Sequence, residues 1–298
     1  MGRRRVRGTR LRGAAISAIM ACSVIVAPVR ALSVDGVSGP PATATAAAAR
    51  GPRFQLFALP PPPALCAAGA FIRGVDVGAR KIIAFSFDDG PWPTYTQAVM
   101  SSFEQRGLRS TFFWIGDNVN RYPDIARDVV ARGFEVGNHS QTHHYTASTI
   151  AREIPIANQT IRNITGEQPT LFRSPGLTQG ESIQNALRDN GMCNIFTTVV
   201  LGDADLPRAS AGTLCSRFAN TVHAGEVVLL HDGGSHSQTV RAVPCMLDLA
   251  LSRGYEIVTV GELLLAGTPY AGPRTRTNLI DTVDDQASVD GDPASLPE

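Results

Sequence analysis

Between Lys81 and Val260 the hydrophobic period of the chain switches repeatedly, and this alternation restricts the available folds more than any single residue does. Lys81 to Phe87 is a short apolar run ending at Asp88-Asp89-Gly90-Pro91, a turn signal at the carboxyl end of a strand. Tyr95, Val99 and Phe103 then recur at helical spacing until Gly107. Thr111 to Ile115 predicts a strand, Asp124 to Arg132 a helix stopped by Gly133, and Phe134 to Gly137 a strand leading into a histidine loop. Further units follow: a helical stretch from Thr146 to Thr165, which Pro155 is expected to kink or divide, an extended Leu171 to Arg173, and a helix from Glu181 to Asp189. Ile195 to Leu201 and Val227 to Leu230 predict strands, Thr239 to Ser252 a helix, and Glu256 to Val260 the last strand. About seven short strands with intervening helices define a single α/β domain on a parallel sheet, open or closed into a barrel, over roughly residues 78 to 265.

In such folds the strand-to-helix loops converge above the carboxyl ends of the strands, and ligands bind there. Asp88, Asp89, His139, His143, Arg173, Asp203, Asp205 and His231 all fall at predicted strand ends. Asp-Asp-Gly-Pro alone has an equally good explanation as a turn and helix cap. The phrase His139-Ser140-Gln141-Thr142-His143 is more telling, because three of the chain's six histidines lie between positions 139 and 144. Its spacing puts two imidazoles on one side of a helical turn or a tight loop. Two imidazoles and one carboxylate suit a divalent ion with an open coordination position, and the adjacent second carboxylate is then free for base chemistry.

The two ends differ in kind from the body. Six arginines between Arg3 and Arg12 precede an uncharged stretch from Gly13 to Val29, with Val29-Arg30-Ala31 as a cleavage site. The stretch is shorter than the roughly 20 residues of a spanning helix, so residues 1–31 are expected to be a cleaved export signal, with an uncleaved anchor as the alternative. No stable membrane span is expected after cleavage. Residues 32–77 form an Ala/Pro-rich linker and 266–298 an acidic flexible tail in this reading. Removing residues 1–31 leaves 20 basic against 26 acidic residues, a net charge of −6, and no basic stripe interleaved with aromatics, which argues against a nucleic-acid partner. Cys66, Cys193, Cys215 and Cys245 remain, enough for two disulfides with three possible connectivities. The triplets beginning at Asn138, Asn158 and Asn163 match the glycosylation pattern and are read as coincidence.

Phe172-Arg173-Ser174-Pro175-Gly176 and Leu229-Leu230-His231-Asp232-Gly233-Gly234, together with the aspartate and histidine phrases in this order, resemble the polysaccharide deacetylases, the family 4 carbohydrate esterases with a NodB-like domain. Ser110 to Gly116, Arg132 to His139, Ser237 to Val240 and Arg253 to Glu256 extend the resemblance over nearly the whole body. It implies a distorted (β/α) barrel and hydrolytic removal of acetyl groups from an N-acetylated glycan, peptidoglycan or a chitin-like polymer, with O-acetylated xylan as an alternative. Asp89, His139 and His143 would bind a divalent metal, most often Zn2+, with Co2+ also accepted. Asp88 would be the base, Arg173 its partner, and His231 the general acid. Gly176 and Leu229 would contact substrate. The partner would be an acetylated polysaccharide, and the location secreted or envelope-associated. Oligomeric state is left open.

Two departures from the family pattern stand out. The fourth motif usually carries two aspartates and a tryptophan, whereas Gly202-Asp203-Ala204-Asp205-Leu206 has compressed spacing and Leu206 in place of the aromatic. Either aspartate is able to orient His231, and Asp205 is preferred. The third motif lacks the aromatic that often precedes its glycine, leaving Trp92 or Trp114 as the candidates for a sugar-stacking surface, although Trp114 is more simply read as a core residue. These departures motivate a second possibility, a catalytically impaired glycan-binding protein of the same fold.

Overall fold

The structure is a computed structural model that describes residues 65–271 except 198 and 206. The leader, most of the linker and most of the tail lie outside the described residues, as does Leu206. In chain order the elements are β1 (Phe71–Ile72), β2 (Gly74–Asp76), β3 (Ile82–Asp88), α1 (Tyr95–Glu104), β4 (Thr111–Trp114), α2 (Gly116–Arg121), α3 (Pro123–Ala131), β5 (Glu135–Asn138) and α4 (Ala147–Thr165). They continue with β6 (Leu171–Phe172), α5 (Glu181–Asp189), β7 (Cys193–Ile195), β8 (Val199–Val200), α6 (Ala211–Thr221), β9 (Val227–His231), α7 (Ser237–Ser252), β10 (Glu256–Val258), α8 (Val260–Leu265) and β11 (Thr268–Tyr270).

Eight strands form a continuous path in the order β1-β7-β6-β5-β4-β3-β9-β8, and β10 joins β3 beside it. All pairings in this sheet are parallel, as the alternating pattern predicts, and the sheet curls into a half-barrel, as the family resemblance implies. β10 pairs with Ile82–Ala84 and β4 with Ser86–Asp88, so two strands share the length of β3. A separate antiparallel pair joins β2 and β11. The expected strand from Ile195 to Leu201 is in fact two, because β7 pairs with β6 and β1 while β8 pairs with β9. Those partners lie in different parts of the sheet, so the chain must leave one and rejoin the other.

Alternation along β3 divides the core. Ile83, Phe85 and Phe87 face the helices and pack with Val99, Met100 and Phe103 of α1 and with Val243, Met246 and Leu247 of α7. Ile82 and Ala84 face the inside of the curl with Phe113, Leu171, Cys193, Ile195 and Val227. Ser86 and Asp88 continue that inward row toward the carboxyl end, so the period-two pattern that builds the core also delivers Asp88 to the mouth of the half-barrel. Burying each phenylalanine contributes about 2–3 kcal/mol.

Pro155 does not divide α4, which runs through it as one helix. Its ring lies on the exposed face, where water can take over the carbonyl that loses an intrahelical donor. The disulfides are Cys66–Cys193, which ties the segment before β1 to β7, and Cys215–Cys245, which ties α6 to α7. Among the described residues no helix is long and apolar enough to cross a membrane.

Candidate active site

Asp88 is the last residue of β3 and is 2 % exposed. Asp89 adopts a left-handed backbone with φ of 74°, a conformation disfavoured for any residue but glycine. The reversal has a use. Consecutive residues of a strand point to opposite faces, yet here both carboxylates reach the same imidazole: His139 Nε2 lies 3.9 Å from Asp88 Oδ2 and 3.4 Å from Asp89 Oδ1. The turn is held by Asn118, whose side-chain amide donates to the Asp89 carbonyl at 2.8 Å, and by the Asp232 backbone N–H, which donates to the Asp88 carbonyl at 3.1 Å. At Gly233 a Cβ would lie 2.3 Å from the Asp89 carbonyl oxygen, so that close approach requires glycine.

The two histidines come from the tight loop after β5, with Ser140 and His143 both at positive φ. Asn138, fully buried, donates to the Ile154 carbonyl and the Asn158 side chain and accepts the Ser140 N–H at 2.7 Å; Ser140 Oγ accepts the His143 N–H. Glu153 of α4 accepts the backbone N–H groups of Gln141 and Thr142 and the Thr142 hydroxyl. Burial works to raise the Glu153 carboxyl, but these donors outweigh it and hold it below its ordinary value. Asn138 and Asn158 are both buried, which removes them as glycosylation acceptors.

His139 Nδ1 lies 2.7 Å from the Arg173 carbonyl, which can only accept, so Nδ1 carries a proton and Nε2 is the ring nitrogen that faces Asp89. His143 Nε2 is 3.3 Å from the same Asp89 Oδ1, and the ligand atoms of Asp89, His139 and His143 all lie within 4.8 Å of one another. Asp89 Oδ1 is buried without a hydrogen-bond partner. A buried anionic oxygen flanked by two imidazole nitrogens is the donor set that a divalent cation completes, so these residues fit such an ion. Burial works to raise the Asp89 carboxyl, but the neighbouring His139, His231 and His143 hold it well below the usual carboxylate range.

Arg173 follows β6 and is completely buried. Its Nη1 donates to Asp88 Oδ1 at 2.7 Å and to Ser86 Oγ at 2.8 Å, Nε donates to the Ile195 carbonyl, and Cζ sits 4.2 Å from the Phe113 ring centroid. This fixes one Asp88 oxygen and leaves Oδ2 directed toward the histidines. A buried pair of this kind adds little net stability but holds its members in one geometry.

His231 ends β9, directly opposite Asp88 in register. The aspartate that binds it is Asp203 and not Asp205. Asp203 Oδ1 accepts His231 Nδ1–H at 2.9 Å, while Oδ2 accepts the His231 backbone N–H and the Thr239 hydroxyl, each at 2.8 Å. Gly202, at φ of 68°, turns the chain after β8 so that Asp203 points inward; Asp205 is exposed and its carboxylate folds back over Gly202. Burial works to lower the His231 imidazole, but Asp203, with Asp88 and Asp89 adding to it, pushes it up to about 9. The ring stacks on His236 with centroids 5.1 Å apart. Next to it, burial pushes the Asp232 carboxyl up to about 7.

Leu229 shares the inward face of β9 with His231 and is 5 % exposed. Gly176 lies exposed in the short turn Pro175–Leu177 at φ of 57°. Trp114 is completely buried in the core facing the helices and offers no surface to a ligand; Trp92 is half-buried, edge-on to Tyr122. Sequence reasoning missed Glu153, Asn158 and Asn118. The first two had a signal, since they interrupt the apolar face of α4 formed by Ile150, Ile154, Ala157 and Ile161.

Fold and rim together define a class, a curled parallel α/β sheet with an aspartate-histidine-histidine cluster, a base candidate and an acid candidate at its carboxyl end. The sequence model of the family described as "Polysaccharide deacetylase" matches residues 76–195. A peptidoglycan-N-acetylglucosamine deacetylase of Bacillus cereus is 32% identical over 189 residues, covering 62% of this chain and 89% of that protein. Among solved structures, the Xyl-CE4 domain of a multidomain xylanase from the hindgut metagenome of Trinervitermes trinervoides superposes with a TM-score of 0.58 at 31% identity, over 62% of this chain and 90% of that one. Peptidoglycan deacetylase PdaC from Bacillus subtilis gives a TM-score of 0.58 at 27% identity, over 63% and 92%. The chain belongs to the polysaccharide deacetylase family, the family 4 carbohydrate esterases, and is a hydrolase.

Proposed function

We propose that this chain hydrolyses the acetamido group of an N-acetylglucosamine polymer of the cell wall, with Asp88 as base and His231 as acid. The observation that carries the proposal is the placement of two separately anchored groups around one candidate metal cluster: Asp88 held by Arg173, and His231 held by Asp203. Zn2+ or Co2+ bound by Asp89, His139 and His143 would supply Lewis acidity, polarising the acetyl carbonyl and acidifying water. Asp88 Oδ2, the oxygen that Arg173 leaves free, takes the proton of the attacking water. His231 donates from Nε2 to the departing nitrogen, whose expulsion as an anion is otherwise prohibitive. Asp203 keeps the imidazole protonated and oriented through Nδ1. Leu229 borders the acetyl methyl and a Gly176 backbone amide faces the carbonyl oxygen. The net reaction is amide plus water to acetate plus amine.

The peptidoglycan deacetylases among the relatives support a wall glycan as substrate, and the arginine-rich leader supports export to the envelope. In this reading residues 78–265 carry the chemistry, and the remaining segments deliver and tether them. The test is acetate release by Zn2+-loaded protein from peptidoglycan, chitin oligomers and acetylated xylan. Release is expected from the first two and is expected to vanish in Asp88→Asn; release unaffected by that change removes Asp88 as base. Glycan binding without turnover on any of the three would replace the proposal with a catalytically impaired binding protein.

A further inference from the structure

Tyr145 is 64% exposed, the one aromatic among the large hydrophobic side chains that the described residues leave in solvent. An isolated exposed apolar side chain is ordinary, but this one is neither isolated nor loose. Its ring meets His143 edge-on, with centroids 5.1 Å apart and planes at 84°. On another side it lies against Gly176, where a Cβ would come within 2.8 Å of Tyr145 Cδ1, so the ring occupies space that only glycine leaves open. The Thr178 hydroxyl donates to the Tyr145 carbonyl at 3.3 Å and ties the two loops together. The ring is thus held between the histidine loop and the turn Pro175–Leu177, beside a candidate metal ligand, while most of its surface stays open to solvent.

A pre-positioned aromatic offers contact area at little entropic cost on binding. The chemistry that such a surface recognises is a ring with an apolar C–H face and a polar rim, which describes a pyranose. We propose that Tyr145 is a stacking platform for a sugar ring of the glycan next to the acetylated one, and that it makes the protein favour oligomers over small acetyl compounds. The inference rests on the glycan deacetylase reading above and specifies which residue of the chain grips the polymer.

The test uses full-length Zn2+-loaded protein with two substrates, an N-acetylglucosamine pentamer and an aryl acetate that has no sugar, and reads the ratio of their kcat/KM values. A ratio is insensitive to any fraction of a variant that fails to fold. Tyr145→Ala is expected to lower the ratio roughly tenfold, chiefly through KM for the pentamer, and Tyr145→Phe to keep it within about twofold. Calorimetric titration of metal-free protein with the pentamer is expected to show weaker binding by the same factor in Tyr145→Ala. An unchanged ratio, or equal losses on both substrates, overturns the inference and leaves Tyr145 as support for His143. Wild-type protein that cleaves the aryl acetate but no glycan instead overturns the proposed function, and this inference with it.

Discussion

Asp88 and His231 are register partners on the adjacent strands β3 and β9. Neighbouring parallel strands lie about 4.8 Å apart, so two groups proposed to move protons in opposite directions are placed by the backbone ladder and not by mobile loops. Each then has its own buried partner, Arg173 for the carboxylate and Asp203 for the imidazole. The sheet sets their separation and the partners set their orientation.

The first consequence concerns pH. His231 is raised to about 9, above its ordinary 6.5, mainly against burial and by virtue of Asp203. A proton donor of this kind is charged throughout the neutral range, and kcat is expected to fall only as pH rises toward about 9. The matching contribution to stability is fully present below the unfolded value near 6.5 and is lost as pH rises through the folded one. Asp203→Asn removes the main raising influence, so the alkaline limb of the kcat profile should move to lower pH. A limb that stays in place would separate the acid from Asp203. Asp205→Asn should leave the limb where it is.

Glu153 yields a prediction about metal affinity without touching the metal. It accepts three donors from Gln141 and Thr142 inside the histidine loop. Glu153→Gln replaces one acceptor oxygen by a donor, which faces those N–H groups with the wrong polarity. Zn2+ affinity, measured by competition with a chromophoric chelator, is expected to drop about 10- to 100-fold, the range typical of groups that support metal ligands. Unchanged affinity would mean that Asn138 and Ser140 hold the loop alone.

The residues that the sequence pattern placed well are those at which the hydrophobic period changes. Asp88, His139, Arg173 and His231 each follow an apolar strand, and the structure brings them to one end of one sheet. Asp203 and Asp205 are two apart in an aperiodic stretch and have the same parity, so no pattern separates them; the left-handed Gly202 decides. Likewise the run 195–201 is interrupted only by Thr197 and Thr198, residues that themselves suit a strand, so the pattern does not signal that the chain changes partners after Ile195. Tyr145 carried no signal either, because its importance comes from contacts with His143 and Gly176, one two residues away in sequence and the other 31.

The two disulfides should differ in worth. Cys66–Cys193 closes 127 residues of chain and Cys215–Cys245 closes 30. On chain entropy alone the first restricts the unfolded state by about 5 kcal/mol and the second by about 4 kcal/mol. Denaturant unfolding of the paired alanine variants is expected to rank them in that order. The reverse ranking would show that the long bridge costs the folded state what it removes from the unfolded one.

Arg173 offers the sharpest contrast between holding a site and stabilising a fold. It is fully buried, and removing only one member of its pair leaves the Asp88 carboxylate buried beside Ser86 without a counter-charge. Arg173→Met is therefore expected to destabilise the protein by about 3–5 kcal/mol in denaturant unfolding and to abolish acetate release. Adding Asp88→Asn removes the stranded charge, so the double variant should regain much of the lost stability while remaining inactive. A double variant no more stable than Arg173→Met would show that the loss comes from the guanidinium's contacts with Ile195 and Phe113 and not from the abandoned carboxylate.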